Sequence, residues 1–187
     1  MSWMNTAVWL LCLLGSAGLI YVSRHALRQP GSHGFYRFFA WEILLIMFLL
    51  NLPVWFAQPF SWHQLVSWLL LLLSILLVLE GLRLLREIGK LDATRRDASL
   101  LGLEKTSRLV TIGLYRYIRH PLYASLLCLD WGIFFKAPAW GGALLALLCT
   151  LLLVATARSE EHENSAYFGQ EYVEYMRRSR MFIPFIF

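Results

Sequence analysis

Five stretches of this chain are apolar for long enough, or nearly long enough, to cross a bilayer. No other feature limits the fold so strongly. A hydrocarbon core about 30 Å thick takes about 20 residues of helix. The candidate spans are residues 4–22, 38–57, 64–82, 122–135 and 139–157. The fourth is short, and Lys136-Ala137-Pro138 separates it from the fifth, so that pair reads as a hairpin packed into a bundle. Lipid offers backbone groups no hydrogen bonds, so such spans fold as helices. The expected class is all-α: an integral-membrane, multi-pass helical bundle of about five transmembrane helices. Hydrophobic residues at 58% and charged residues at 16% agree, against about 45–50% and 25% in soluble domains. Disordered chains, disulfide-built secreted domains and most soluble enzymes are excluded. Cys12, Cys128 and Cys149 sit inside apolar runs without metal-ligand spacing, so no metal is expected.

Charge sets the expected orientation. Arg24, Arg28 and Arg37 follow the first span. Arg83, Arg86, Lys90, Arg95, Arg96, Lys105, Arg108, Arg116 and Arg119 fill the polar stretch 83–119. Arg158, Arg177, Arg178 and Arg180 follow the last span, which leaves Lys136 alone on the opposite side. The positive-inside rule places the first loop, the long loop and the C-terminus in the cytoplasm, with the N-terminus outside. Residues 1–6 lack Lys and Arg, so the first apolar segment is expected to be a retained span and not a secretory signal. The net charge of +5 then reports contact with membrane lipid headgroups and no nucleic-acid partner. We divide the chain into three N-terminal spans, 1–82, and a region 83–187 that holds the chemistry. Residues 159–178 read as a C-terminal amphipathic helix carrying Tyr167, Phe168, Tyr172 and Tyr175 among acids and bases.

Polar residues concentrate at two places. The first is Gly113-Leu114-Tyr115-Arg116-Tyr117-Ile118-Arg119-His120-Pro121-Leu122-Tyr123, at the mouth of the fourth span. Pro121 suits the first helical position, where its missing N–H costs nothing. Free N–H groups and the helix dipole would meet Arg119 and His120 there, in a place suited to a carboxylate or phosphate. Equally, Arg119 and His120 could only mark the headgroup boundary. The second is Arg158-Ser159-Glu160-Glu161-His162-Glu163-Asn164. If a helix starts here, Ser159 is its N-cap and Glu160 and Glu161 suit its positive end. An antiparallel hairpin would bring both places together, as a structural salt bridge or as a site for a ligand bearing both charge signs.

These residues carry a resemblance. The first stretch resembles the G-x-Y-x-x-x-R-H-P-x-Y motif of the isoprenylcysteine carboxyl methyltransferase family. Glu160-Glu161 followed by Phe168-Gly169-Gln170-Glu171-Tyr172-Val173-Glu174-Tyr175 resembles its second motif, E-E…F-G-x-E-Y-x-x-Y. The likeness covers roughly residues 80–187. It implies a membrane methyltransferase using S-adenosylmethionine in a helical bundle, with Arg119, His120, Pro121, Tyr123, Glu160 and Glu161 lining the cofactor pocket and Tyr115 and Tyr172 as walls. Arg119 or His120 would hold the methionyl carboxylate, and Glu160 or Glu161 the ribose hydroxyls or ammonium. His120 and Arg119 are the catalytic candidates, with His120 the nearby base. The acceptor would be lipophilic or small: a prenylcysteine carboxylate, a thiol or a lipid amine. Cofactor would arrive from the cytoplasm.

Two positions depart from the pattern. Ser125 stands where a Gly is common, and Met181 stands where the closing R-F-I-P would place its Arg, with Arg180 next door as a replacement. Two other functions fit a bundle of this kind: a membrane reductase using a reduced nicotinamide dinucleotide, and a non-enzymatic scaffold. Asp130, inside the fourth span, is a functional candidate or a protonated, hydrogen-bonded core residue.

Overall fold

The computed structural model describes residues 2–90 and 106–186. Arg95, Arg96 and Lys105, counted above in the long loop, lie outside the described residues. Six helices follow in order: α1 Ser2–Ser23, α2 His33–Asn51, α3 Trp62–Glu87, α4 Pro121–Phe134, α5 Trp140–Phe168 and α6 Gln170–Arg178. Among the described residues no strand forms, and the all-α bundle stands.

Four helices, α1, α2, α3 and α5, are long and apolar enough to cross a membrane. The fifth apolar segment, α4, has 14 residues and rises only about 21 Å. It packs against both α3 and α5. Ala40, Ile43, Leu44 and Met47 of α2 meet Ile133 of α4 and Ala146, Cys149 and Leu153 of α5 in the core. Leu69, Leu76, Leu144 and Leu151 point outward and stay exposed, as a lipid-facing surface requires.

The end of α5 corrects one expectation. No new helix begins at Ser159, because α5 runs unbroken for 29 residues, about 43 Å. That exceeds the hydrocarbon thickness, so the turns from Arg158 to Phe168 project beyond the apolar stretch. Polar residues there are compatible with helix, and the chain breaks only at Gly169, whose φ of 62° suits a residue without Cβ. Ser159 is therefore an interior residue that donates to the Gly31 carbonyl (2.7 Å). The amphipathic helix is shorter than expected, confined to α6.

Side-chain joints fix both ends of the bundle. At one end, Glu163 of α5 starts α2: its Oε1 accepts from His33 N (3.2 Å) and its Oε2 lies 2.6 Å from His33 Nδ1. A carboxylate at a helix N-terminus also meets the positive end of the dipole. At the other end, buried Lys136 donates to Gln64 Oε1 (3.0 Å) and lies over the Trp68 ring. Lys136 thus sits apart from the other described cations, as the charge pattern requires.

Candidate functional site

Gly113 opens the site. It begins a 3₁₀ turn, Gly113–Arg116, with φ of 60°, and a Cβ there would sit 2.7 Å from Leu84 of α3. The turn lies against α3 for that reason. The following residues pair with the chain beyond α6. Arg180 N donates to Tyr117 O (2.9 Å), Arg119 N to Arg180 O (2.7 Å), and His120 N to Met181 O (3.2 Å). Tyr175 Oη donates to Tyr115 O (2.6 Å). Pro121 then starts α4 as expected. Arg119 and His120 are thereby held by backbone on both sides before their side chains make any contact.

Those side chains meet the paired acids of α5. Arg119 Nε donates to Glu161 Oε1 (2.6 Å), and its Nη1 donates to the carbonyls of Ser179 (2.6 Å) and Met176 (3.3 Å). His120 Nε2 lies 3.2 Å from the same Glu161 oxygen, and its Nδ1 lies 3.7 Å from Glu160 Oε2. The His120 ring stacks on Tyr123 at 5.5 Å. Burial raises the Glu161 carboxyl, but the hydrogen bonds and charges of His120 and Arg119 outweigh it and hold the group below its ordinary value. Tyr172 is pushed up by burial and by the Glu160 and Glu161 charges, and Tyr175 chiefly by burial. Both phenols stay neutral, as hydrogen-bonding walls.

A cleft opens on this cluster. Tyr115, Arg119, His120, Pro121, Tyr123, Glu160 and Tyr172 all line it, which brings together seven of the eight residues singled out from sequence. Glu161 does not line it; it stands behind, bonded to Arg119 and His120. Sequence reasoning missed Arg108, Asn164, Phe168 and Tyr175, which also line the cleft. Glu160, Asn164 and Phe168 recur every fourth residue, a signal for one helix face. Arg108 carried no such signal; it is exposed, and its guanidinium has no ion pair among the described residues.

The departures from the motif also find places. Met181 is buried against Ile118, Tyr123, Ala124 and Ala157, so its position faces packing and not the cleft. Arg180 does not line the cleft. Ser125 is buried and donates to the Leu122 carbonyl (2.6 Å). Asp130 is fully buried, and neither carboxyl oxygen meets a partner at hydrogen-bonding geometry, with Cys149 and Thr150 as its polar neighbours. A second cavity, of 650 Å³ and almost wholly apolar, lies on the flank between α3, α4 and α5, walled by Leu73, Leu77, Ala124, Leu127, Val154 and Phe182.

Comparison with known proteins agrees with this arrangement. Methanethiol S-methyltransferase 1 of Bradyrhizobium diazoefficiens is 34% identical over 88 residues, 46% of this chain and 30% of that protein. Methanethiol S-methyltransferase 2 of the same organism is 35% identical over 74 residues, 40% of this chain and 28% of that protein. Protein-S-isoprenylcysteine O-methyltransferase B of Arabidopsis thaliana is 30% identical over 107 residues, 55% of this chain and 54% of that protein. The chain thus spans from under a third to about half of the length of these relatives. No solved structure matches it. The family match runs over residues 62–171, more than half of the chain, from the start of α3 through the cleft to the start of α6, and on that extent the chain belongs to the phospholipid methyltransferase family.

Proposed function

We propose that the protein is an integral-membrane methyltransferase that takes its methyl group from S-adenosylmethionine. The observation that carries the reading is the meeting of Arg119 and His120, at the start of α4, with Glu160 and Glu161 of α5 in one aromatic-walled cleft. The donor set fits such a cofactor. An aminoacyl end asks for an anion-binding and a cation-binding group, a ribose for a hydroxyl acceptor, and a purine for an aromatic or apolar wall. Arg108, Glu160, Asn164, Phe168 and Tyr172 supply these in one lining. Bound there, the cofactor supplies an activated methyl on a sulfonium.

The geometry divides the work among the residues. Arg119 already gives its Nε and Nη1 to Glu161 and two carbonyls, so its main part is to lock α4, α5 and α6 together. Arg108, which has no ion pair among the described residues, is the better holder of the methionyl carboxylate. Glu160, the acid that faces the cleft, takes the ammonium or the ribose hydroxyls. His120 has a carboxylate on each side of its ring and serves as the centre that orients both acids. A methyl displacement gains chiefly from orientation and exclusion of water, which a lining closed around the cofactor would provide. At 70 Å³ the cleft is tighter than the roughly 300–1,000 Å³ of small-molecule sites. Admission of a nucleoside therefore requires the lining to open.

The acceptor is lipophilic on this reading, because the large apolar flank cavity adjoins the cleft: the ring of Phe182, which lines the cavity, lies 6.2 Å from the ring of His120, which lines the cleft. The cytoplasmic placement of the cleft rests on the clustered cations at its end of the bundle. The test is calorimetric titration of the detergent-purified protein with S-adenosylhomocysteine, run beside reduced nicotinamide dinucleotide phosphate. Saturable binding of the first, lost in a folded His120→Ala, Glu160→Ala double variant, is expected. Binding of the dinucleotide alone would make the protein a reductase, and binding of neither would leave a scaffold.

A further inference from the structure

A second group of cations lies outside the cleft and serves none of the roles above. Arg177 and Arg178 close α6, and Arg180 follows two residues later. Together with Tyr117 and Phe185 they line a separate cavity of 210 Å³. All three arginines are exposed, and among the described residues no carboxylate lines the cavity and none of the three guanidinium groups forms an ion pair. The dipole at the end of α6 accounts for cations at Arg177 and Arg178. It does not account for Arg180, which stands beyond the helix. The backbone pairing of Arg180 with Tyr117 and Arg119 fixes where its side chain starts. Three positive charges around one cavity, without a counter-charge among the described residues, ask for an anion.

The frame of this cavity is apolar. The Phe185 ring packs against Tyr117 at 6.1 Å, and Ile183, Phe185 and Ile186 are 51%, 82% and 78% exposed. Large apolar side chains left bare beside unpaired arginines match the boundary of a bilayer, where chains cover the first and headgroups meet the second. A soluble anion would satisfy the arginines and leave the isoleucines and the phenylalanine in water. We infer that Arg177, Arg178 and Arg180, with Tyr117 and Phe185, form a binding site for the phosphodiester headgroup of an anionic membrane lipid, its chains lying over Ile183, Phe185 and Ile186. The site is not the cofactor's: its lining shares no residue with the cleft, and of its residues Tyr117 alone also walls the flank cavity. The lipid instead clamps the segment whose backbone holds Arg119 and His120, a part it plays whether or not the cleft binds S-adenosylmethionine.

Native mass spectrometry of the full chain in a neutral detergent tests this, with titration of dioleoyl phosphatidylglycerol and, separately, dioleoyl phosphatidylcholine. The variant is Arg177→Gln, Arg178→Gln, Arg180→Gln. The control is Arg24→Gln, Arg28→Gln, Arg86→Gln, which removes the same charge from the same end of the bundle. Each arginine near an anionic surface is worth roughly fivefold in affinity, so the variant should lose phosphatidylglycerol by at least about tenfold while the control stays within about threefold. Replacing the three arginines by lysine should restore most of the binding. Millimolar inorganic phosphate should not compete, since the lipid chains supply part of the affinity. Circular dichroism of the same preparations confirms the fold, and if the triple variant is unfolded the Arg177→Gln, Arg178→Gln pair is read in its place. Equal loss in variant and control, equal binding of the two lipids, or full competition by free phosphate would each overturn the assignment.

Discussion

Replacing Glu161 removes the one group that joins Arg119 to His120, and the cost can be worked from the contacts. A hydrogen bond to a charged group contributes about 1.5–3 kcal/mol. Glu161 accepts two, from Arg119 at 2.6 Å and His120 at 3.2 Å. Arg119 keeps the carbonyls of Ser179 and Met176 when Glu161 is lost, and with side-chain exposures of 11% and 14% the Arg119–Glu161 pair is partly hydrated. Those two facts place Glu161→Ala near the low end of the sum, at about 3 kcal/mol. For a chain of this size that is a fall of about 6–12 °C in melting temperature. Glu161→Gln keeps an acceptor and loses the charge, so about half that fall is expected. The acid dependence supplies a second reading. The Glu161 carboxyl is held below its ordinary 4.5, so its contribution is present above that pH and disappears as pH falls through the lower folded value. Glu161→Gln should therefore flatten the loss of stability in acid. Thermal unfolding in detergent, followed by tryptophan fluorescence at neutral and acid pH, measures both effects, with exposed Glu174→Gln as the control. A Glu161→Ala melting point within about 2 °C of the parent, with an unchanged acid limb, would refute this account of the cluster.

Arg108→Gln should weaken S-adenosylhomocysteine by roughly tenfold, the value of one charge-assisted contact, and leave adenosine binding unchanged; equal losses for both would remove Arg108 from the carboxylate role. Asp130→Asn should leave S-adenosylhomocysteine affinity unchanged and hold or raise the melting temperature, because a buried carboxylate without a bonded partner costs more than a neutral amide of the same shape. Lost turnover with intact cofactor binding would instead place Asp130 on the acceptor side.

The bundle was legible because lipid demands runs of apolar residues and punishes everything else. The approach of Arg119 and His120 to Glu160 and Glu161 was legible too, since a short break between two spans leaves their far ends adjacent. What escaped had two causes. Residues 158–168 suit either a fresh amphipathic helix or a continuation of α5, and only the first left-handed backbone angle, at Gly169, separates the two. The different roles of Glu160 and Glu161 follow from their angular positions on α5, which adjacent letters cannot express until the neighbouring helices are placed. The pairing of residues 117–120 with 180–181 joins segments some 60 residues apart in the chain, and no local pattern marks either side. Arg108 stands at the edge of the first motif and acquires meaning only once the fold brings it into the lining of the cleft.

The contact between His33 and Glu163 has a further consequence. Glu163 lies less than one turn of helix from Glu160, so whatever holds the former sets the rotational setting of the latter. The cleft is therefore indexed by a histidine in the N-terminal part of the chain, outside both motifs and outside the stretch matched to the family. A change at position 33 would reach the cleft as a small rotation of α5, without touching any group that lines it. A search for functional variants confined to the lining would pass over it, and a graft of residues 62–187 onto foreign spans would lose the index while keeping every signature residue.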